Sequence, residues 1–222
     1  MSKKKIIVMG SFKTGTSSIT NLISKSKDNI ELLNGKHNRG LKNEDFDILI
    51  IPVRKHFELF PSAYFQDITK KEYPYFYNEN QRKILNENVL KLIFHFLQFD
   101  WSKYTHLSPN TSLKHLKEII KDDNQKLKLN DEMYYLNEFT HKFTGKKFKV
   151  LIIGFCYLSF EKVSQIFKKI NLNIERNFFH ANNGNQKWYS KKYIEFKNIL
   201  KKVKEYNHYL EKYKHLDDEL FN

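Results

Sequence analysis

The hydrophobic pattern of this chain combines short apolar runs with longer stretches in which apolar residues recur every three or four positions. Three runs are almost wholly apolar, at Lys5–Met9, Phe46–Val53 and Lys147–Phe155, and a shorter one lies at Ile30–Leu33. Continuous apolar runs of this length are typical of parallel strands that are covered on both faces. The three longer runs therefore predict buried strands of a mostly parallel sheet, and Ile30–Leu33 predicts a short second strand.

Helical periodicity occupies the intervals between these strands. The spacing of apolar residues predicts helices over 16–25, 57–68, 81–98, 113–120, 133–143, 158–170, 188–204 and 206–213. Strands that alternate with helices predict an α/β fold, here a three-layer, doubly wound, mostly parallel sheet with a P-loop-like phosphate-binding loop. We expect a single domain over residues 1–222, with a helical insertion at about 69–145 that ends where Gly145 caps a helix.

The segment after the first strand is suited to bind a phosphate or sulfate group. It contains Gly15 and ends in hydroxyl residues where the first helix is predicted to begin. The first N–H groups of a helix have no intrahelical partner, and the helix dipole adds a partial positive charge there. The expected anion-binding residues are Ser11, Phe12, Lys13, Thr14, Gly15, Thr16, Ser17 and Ser18.

This loop differs from the phosphate loop of ATPases in the position of its lysine. In an ATPase loop a lysine directly follows the last glycine, whereas here that position is Thr16 and the lysine is Lys13. The neighbouring apolar runs lead into Arg54 and Cys156, not into a carboxylate that could hold magnesium. A kinase or another nucleotide-binding enzyme with a degenerate loop stays open as an alternative, as does a strand–helix turn without a ligand.

A second candidate element begins at Arg54, at the exit of the strand over 46–53. Ser62 follows inside the next predicted helix. A guanidinium binds phosphate oxygens through paired hydrogen bonds, and a serine hydroxyl can donate one more. The chain has only four arginines among its 39 basic residues, so composition alone does not readily explain this one. Pairing of Arg54 with the helix residue Glu58 is the alternative.

Taken together, the loop KTGTSS and the Arg54–Ser62 pair resemble the cofactor site of sulfotransferases that use 3′-phosphoadenosine 5′-phosphosulfate (PAPS). The resemblance covers residues 5–66, and Asn182–Tyr189 is similar to a late loop of carbohydrate-type members. It implies sulfuryl transfer from PAPS to a hydroxyl or amine acceptor, with a carbohydrate as the first expectation and no metal ion. It also implies that Arg54 and Ser62 hold the 3′-phosphate. Further cofactor contacts implied by the late loop are Lys187 and Trp188.

The chain departs from this family at two places. Lys55-His56 follows the arginine where many members have Asp-Pro or Asn-Pro, and the late loop lacks the Arg-Lys-Gly of cytosolic members. The second departure affects the contacts assigned to Lys187 and Trp188.

Two side chains are expected to carry the chemistry that the resemblance implies. Lys13 would stabilise the charge that grows on the leaving phosphate. His37 is the first choice as general base, because it follows the second predicted strand at the edge where the phosphate loop lies and a histidine titrates near neutral pH. A loop histidine with a structural role is the alternative for His37. The other candidate bases are Glu31, His56 and His180.

Composition bears on the partners and the location of the protein. The net charge of +14 comes almost entirely from lysine, which attracts polyanions. A non-catalytic polyanion-binding protein therefore stays open, although no nucleic-acid-binding motif indicates DNA or RNA as the main partner. No signal peptide or membrane span is apparent, so we expect a cytoplasmic protein. Cys156 and His95 lie in apolar surroundings and are expected to be buried.

Overall fold

The computed structural model describes residues 2–10, 14–33, 41–69, 88–98, 109–122, 124–176 and 190–222. Its centre is a five-stranded sheet with the order β2-β1-β3-β5-β4. The strands are β1 (Lys4–Val8), β2 (Ile30–Leu33), β3 (Ile48–Pro52), β4 (Tyr134–Thr140) and β5 (Lys147–Ile153). Neighbouring strands are parallel except for β4, which is antiparallel to β5. The prediction of an α/β fold with a mostly parallel sheet is confirmed.

The described helices lie between and after these strands. They are α1 (Thr16–Ser24), α2 (His56–Thr69), α3 (Val89–Leu97), α4 (Pro109–Ile119), α5 (Phe160–Lys168), α6 (Ser190–Leu200) and α7 (Lys204–Phe221). A short 3-10 turn, Phe155–Tyr157, follows β5. In the part of the chain that the structure describes, no helix combines the length and apolar character needed to cross a membrane.

The helix predicted over 133–143 is wrong, because this segment contains strand β4. Met133, Leu136 and Phe139 have a helical spacing, but Tyr134 pairs with Ile153 and the ladder continues to Thr140. A short apolar pattern of this kind is compatible with either structure, and pairing with the edge of β5 satisfies the backbone groups. The segment between β3 and β5 is therefore not wholly helical. Gly145 does not cap a helix; it lies after β4 with φ of 70°.

His141 stabilises the turn between β4 and β5. Its Nδ1 accepts hydrogen bonds from the backbone N–H groups of Phe143 and Thr144, both at 3.3 Å. These contacts assign the proton to Nε2, which lies 3.2 Å from the carbonyl oxygen of Leu41 and donates to it. The buried imidazole therefore ties the β4–β5 turn to the segment that precedes β3.

The sheet carries an apolar core on each face. Alternate residues of β1 point to opposite faces, so Ile6 and Val8 belong to one core and Ile7 to the other, together with Met9, which follows the strand. The first core is completed by apolar residues of α1 and α5, and the second by α4 and the C-terminal end of α7. Strands β1, β3 and β5 are thus covered on both sides, as their continuous apolar runs predicted.

The chain divides into two compact units. One consists of Met1–Arg54, His106–Asn182 and Leu216–Asn222, and contains the sheet; the other consists of Lys55–Thr105 and Asn183–His215. The described interior of the second unit is aromatic, with ring contacts among Tyr64, Phe96, Phe196 and Tyr206. Neither unit has the boundaries expected for an insertion at about 69–145, and the single-domain organisation stays a prediction.

A charge network links the first strands to the β4–β5 turn. Lys146 Nζ lies 2.6 Å from Asp45 Oδ1 and 2.8 Å from Asp47 Oδ1, and Lys5 Nζ lies 2.6 Å from Asp45 Oδ2. Hydrogen bonds from Lys146 and Lys5 lower the pKa of Asp45 to about 2. Partial burial acts to raise the pKa of Asp47, but the Lys146 ammonium and the Lys5 backbone N–H outweigh it, so this pKa is also lowered.

This network predicts a stability difference that depends on pH. Both carboxyl groups have a folded-state pKa below their ordinary value of 3.8, so their contribution is complete above pH 3.8 and is lost as the pH falls through the folded-state pKa values, about 2 for Asp45. We expect Asp47→Asn to lower the melting temperature at pH 6 and to show a smaller deficit near pH 2, because a lowered pKa stabilises the folded state only while the carboxyl group is ionised. Calorimetric melting of both proteins across this range measures the difference. Asp131→Asn, at an exposed turn, is the control, and an equal deficit at both pH values would contradict the prediction.

Candidate phosphate-binding site

The topology of the sheet places β1 at its switch point. β1 pairs with β2 on one side and with β3 on the other, both in parallel. In open α/β sheets, ligands bind beyond the carboxyl ends of the strands at this point, because the connections leave on opposite sides and open a crevice. The segments that leave β1 and β3 are those that contain the predicted loop and Arg54.

The chain turns tightly as it leaves β1 at Gly10. A Cβ atom built on Gly10 would lie 2.5 Å from Thr16 Oγ1, 2.7 Å from Thr14 Oγ1 and 2.9 Å from Pro52 Cγ. Real Cβ atoms do not approach other heavy atoms so closely, so only glycine fits here without a shift. The start of the loop, its end and the last residue of β3 therefore converge around Gly10.

Gly15 forms the N-cap of α1. Its φ of 105° is in the left-handed region, which residues with a Cβ rarely adopt. The first helical hydrogen bond joins Ile19 N–H to the Gly15 carbonyl at 3.0 Å. The N–H groups of 16–18 precede this bond and have no acceptor within the helix. The first turn contains no acidic residue, so its electrostatics favour an anion.

The hydroxyl groups of the loop differ in their accessibility. Thr14 is fully buried and Ser18 nearly so, whereas Thr16 is half-buried and Ser17 is exposed. Thr14 Oγ1 and Thr16 Oγ1 lie 3.4 Å apart. Thr14 thus belongs to the internal structure of the loop. Ser17 and Thr16 are the hydroxyl groups that a ligand at the start of α1 could reach.

Phe155 and Cys156, which follow β5, contact the loop at Thr14 and Gly15. The sequence did not predict this contact. Cys156 Sγ lies 3.6 Å from the Thr14 carbonyl oxygen and donates to it. A Cβ on Gly15 would come within 3.0 Å of Phe155 Cδ1. The expectation of a buried Cys156 is wrong, because this residue is only half-buried beside the loop. Its only sequence signal was its place directly after a buried strand.

Arg54 leaves the sheet at the same edge as the loop. β1 and β3 are paired with Val8 opposite Ile50, and the close approach of Gly10 and Pro52 continues this register. The Val53 N–H donates to the Ile153 carbonyl at 2.9 Å, which extends the alignment of β3 with β5 by one residue. Arg54 follows directly and is half-buried. The structure therefore brings Arg54 and residues 14–18 to neighbouring strand ends.

Two predicted site residues lie on α2, in the other compact unit. Ser62 is half-buried there. His56 is almost fully buried, with its ring stacked on Tyr213 at 4.7 Å between centroids and 5.6 Å from Phe60. An imidazole enclosed by aromatic rings is poorly placed to meet an acceptor hydroxyl, so His56 is disfavoured as the general base.

Glu31 is also poorly placed for this role. It is exposed on β2, where it pairs with Lys5 in the first half of β1. The carboxyl ends of the strands, where the loop and Arg54 lie, are several residues further along. Glu31 is therefore disfavoured as the base by its position on the strand.

Several predicted site residues lie outside the described part of the chain. They are Ser11, Phe12, Lys13, His37, His180, Lys187 and Trp188. The roles assigned to Lys13 and His37 stay predictions. Within the described ranges, no group of three or more His, Cys, Asp or Glu side chains is arranged to hold a metal ion.

Comparison with known proteins returns no relative. No protein-family model, no curated protein and no solved structure matches the chain.

Proposed function

We propose that this protein is a sulfotransferase that moves a sulfuryl group from PAPS to a hydroxyl or amine acceptor. The observation that carries the proposal is the arrangement at the switch point. A glycine-bounded turn enters the N-terminus of α1 beside β1, and Arg54 leaves the adjacent strand β3 at the same edge. A P-loop-like role for residues 11–18 is part of this proposal.

The described residues fit a cofactor with two separated anionic groups. The start of α1 offers backbone N–H groups and the Ser17 hydroxyl, with no acidic side chain in its first turn. These groups suit a 5′-phosphosulfate. The Arg54 guanidinium suits a 3′-phosphate, which it can bind through two parallel hydrogen bonds. The cofactor contacts of Ser62, Lys187 and Trp188 stay predictions from the family resemblance.

The proposed transfer moves the sulfuryl group from the cofactor to the acceptor in one displacement at sulfur. The acceptor oxygen forms a bond to sulfur while the bond from sulfur to the bridging phosphate oxygen breaks. Negative charge moves onto the 5′-phosphate of the departing adenosine 3′,5′-bisphosphate. Lys13 and the N–H groups at the start of α1 stabilise that charge. Arg54 holds the far end of the nucleotide and so fixes its orientation.

His37 takes the proton of the acceptor in this proposal. It remains the first choice because Glu31 lies away from the strand ends and the ring of His56 is enclosed by aromatic side chains. A neutral imidazole can accept a proton near pH 7. The acceptor itself is expected to be a carbohydrate hydroxyl.

A nucleotide enzyme of the kinase type is the second candidate. β1, the loop and α1 suit any nucleotide phosphate. Against it, Thr16 occupies the position of the ATPase lysine, and β3 and β5 end at Pro52 and Ile153 with no carboxylate in the residues that follow directly. A polyanion-binding protein without catalytic activity is supported only by the charge of +14.

Ligand-dependent melting distinguishes these functions. We expect adenosine 3′,5′-bisphosphate without metal to raise the melting temperature by several degrees at saturation, because a ligand that binds only the folded state stabilises it. ATP with magnesium should give a much smaller shift. Incubation with radiolabelled PAPS and pools of glycans, phenols and peptides should then give labelled product with the glycans.

Matched variants sharpen the test. Lys13→Ala should remove both the melting shift and turnover, whereas His37→Ala should keep the shift and lose turnover. Stabilisation by ATP with magnesium alone would favour the kinase. Binding of heparin that Lys13→Ala leaves unchanged, with no shift from either nucleotide, would favour the polyanion-binding protein.

A further inference from the structure

Helix α3 is apolar on two faces but buries only one of them. Its sequence, VLKLIFHFL, contains only two polar residues. Val89, Leu92, Ile93 and Phe96 are buried, whereas Leu90 and Phe94 are 60% and 61% exposed. Leu90 and Phe94 are four residues apart and therefore neighbours on the helix surface. His95 is exposed as well, so its expected burial is wrong.

Helix α6 packs against α3 in the same compact unit and adds a similar feature. Phe96 and Phe196 are in edge-to-face contact with 5.4 Å between ring centroids. On α6, Ile194 is 42% exposed. Lys191 and Lys197 lie three residues on either side of it, so both neighbour it on the helix surface.

Exposed apolar side chains are concentrated on this helix pair. Four large apolar residues of the described chain are strongly exposed, and three of them lie on α3 or α6. The same two helices and the turn after α6 carry an excess of positive charge, with Glu195 as the one acid in 89–97 and 190–202. The lysines are Lys91, Lys191, Lys192, Lys197, Lys201 and Lys202.

We propose that the exposed surface of α3 and α6 binds to the surface of an anionic lipid membrane. Insertion of leucine and phenylalanine side chains into the boundary between headgroups and acyl chains lowers the free energy. Lysine side chains beside them are attracted to acidic headgroups and can extend toward the phosphates. Leu90 and Phe94 would supply the apolar part of such a surface, and the lysines of the two helices would supply its positive charge. This proposal does not depend on the sulfotransferase activity.

Co-sedimentation of the full chain with vesicles tests the proposal. We expect binding to vesicles of phosphatidylserine and phosphatidylcholine, and at least about tenfold weaker binding to phosphatidylcholine alone. The double variant Leu90→Ser/Phe94→Ser should weaken binding to the anionic vesicles by about tenfold or more. Phe143→Ser is the matched control, because Phe143 is 52% exposed but lies in the other unit, and it should bind as the wild type does.

A second variant keeps the test valid if the double serine variant folds poorly. Lys191→Glu/Lys201→Glu should reduce binding to the anionic vesicles and leave circular dichroism unchanged. Absence of binding to anionic vesicles would overturn the proposal, as would binding that Leu90→Ser/Phe94→Ser leaves intact, since the total charge would then suffice. Self-association in sedimentation velocity that this variant abolishes, without vesicle binding, would identify a second copy of the chain as the occupant instead.

Discussion

Replacing Gly10 by alanine is expected to destabilise the protein by about 2–3 kcal/mol, because the added methyl group has no space at the exit of β1. Its carbon would lie within 3 Å of the Thr14 and Thr16 hydroxyl oxygens and of the Pro52 ring. Pro52 is buried in the sheet and Thr14 is fully buried, so neither can move away at low cost. Urea unfolding of the variant and the wild type measures the loss.

The same substitution should also deform the loop locally. The Cys156 thiol donates to the Thr14 carbonyl, so displacement of Thr14 should release the thiol and increase its rate of alkylation by a maleimide under native conditions. The affinity for adenosine 3′,5′-bisphosphate should fall in parallel if the proposed function is correct.

Gly145→Ala is the control for this experiment. Gly145 has a φ of 70° but no heavy atom within 4 Å of a Cβ, so its substitution carries backbone strain of about 1 kcal/mol without a clash. It should leave the reactivity of Cys156 unchanged. Equal destabilisation by both substitutions, with no change in Cys156 alkylation, would show that the loop tolerates a side chain at Gly10.

Arg54→Ala is expected to weaken the binding of adenosine 3′,5′-bisphosphate by about 100-fold. The guanidinium would donate two charge-assisted hydrogen bonds to the 3′-phosphate, and the loss of both corresponds to about 3 kcal/mol. Isothermal titration calorimetry with adenosine 3′,5′-bisphosphate and with adenosine 5′-monophosphate measures the effect. The monophosphate lacks the 3′-phosphate, so its affinity should change little in the variant.

Two further variants isolate the role of the guanidinium. Arg54→Lys keeps the charge but not the paired geometry, and should give an intermediate affinity. Arg176→Ala removes an exposed arginine whose ion pair with Glu161 spans 3.6 Å, and should bind as the wild type does. If Arg54→Ala lost affinity for both nucleotides equally, Arg54 would not be the residue that binds the 3′-phosphate.

The candidate site was only partly accessible to sequence reasoning. Residues 14–18 and Arg54 stood out because glycine, hydroxyl and arginine side chains followed predicted strands. The adjacency of β1 and β3, which brings them to neighbouring strand ends, is a property of the sheet order. The support of the loop by Phe155 and Cys156 was not predictable either, because the segments are about 140 positions apart in the chain.

The buried parallel strands and the helices that follow them could be predicted from local patterns of residues. A continuous apolar run such as 46–53 is stable as a strand only when both of its faces are covered. The run itself therefore indicates burial, whatever packs against it. The left-handed turn at Gly15 is local in the same sense, since few other residues adopt its φ of 105°. These features were therefore predictable without knowledge of what packs against them.

Features that depend on a partner far away in the chain are established only when the chain folds. Tyr134–Thr140 is a strand because the edge of β5 offers backbone hydrogen bonds, which outweigh the helical spacing of its apolar residues. His56 is enclosed because Phe60 and Tyr213 pack on its ring. Leu90 and Phe94 are exposed because the described aromatic interior of their unit packs on the opposite face of α3. In each case the free energy depends on a contact that spacing along the chain does not encode.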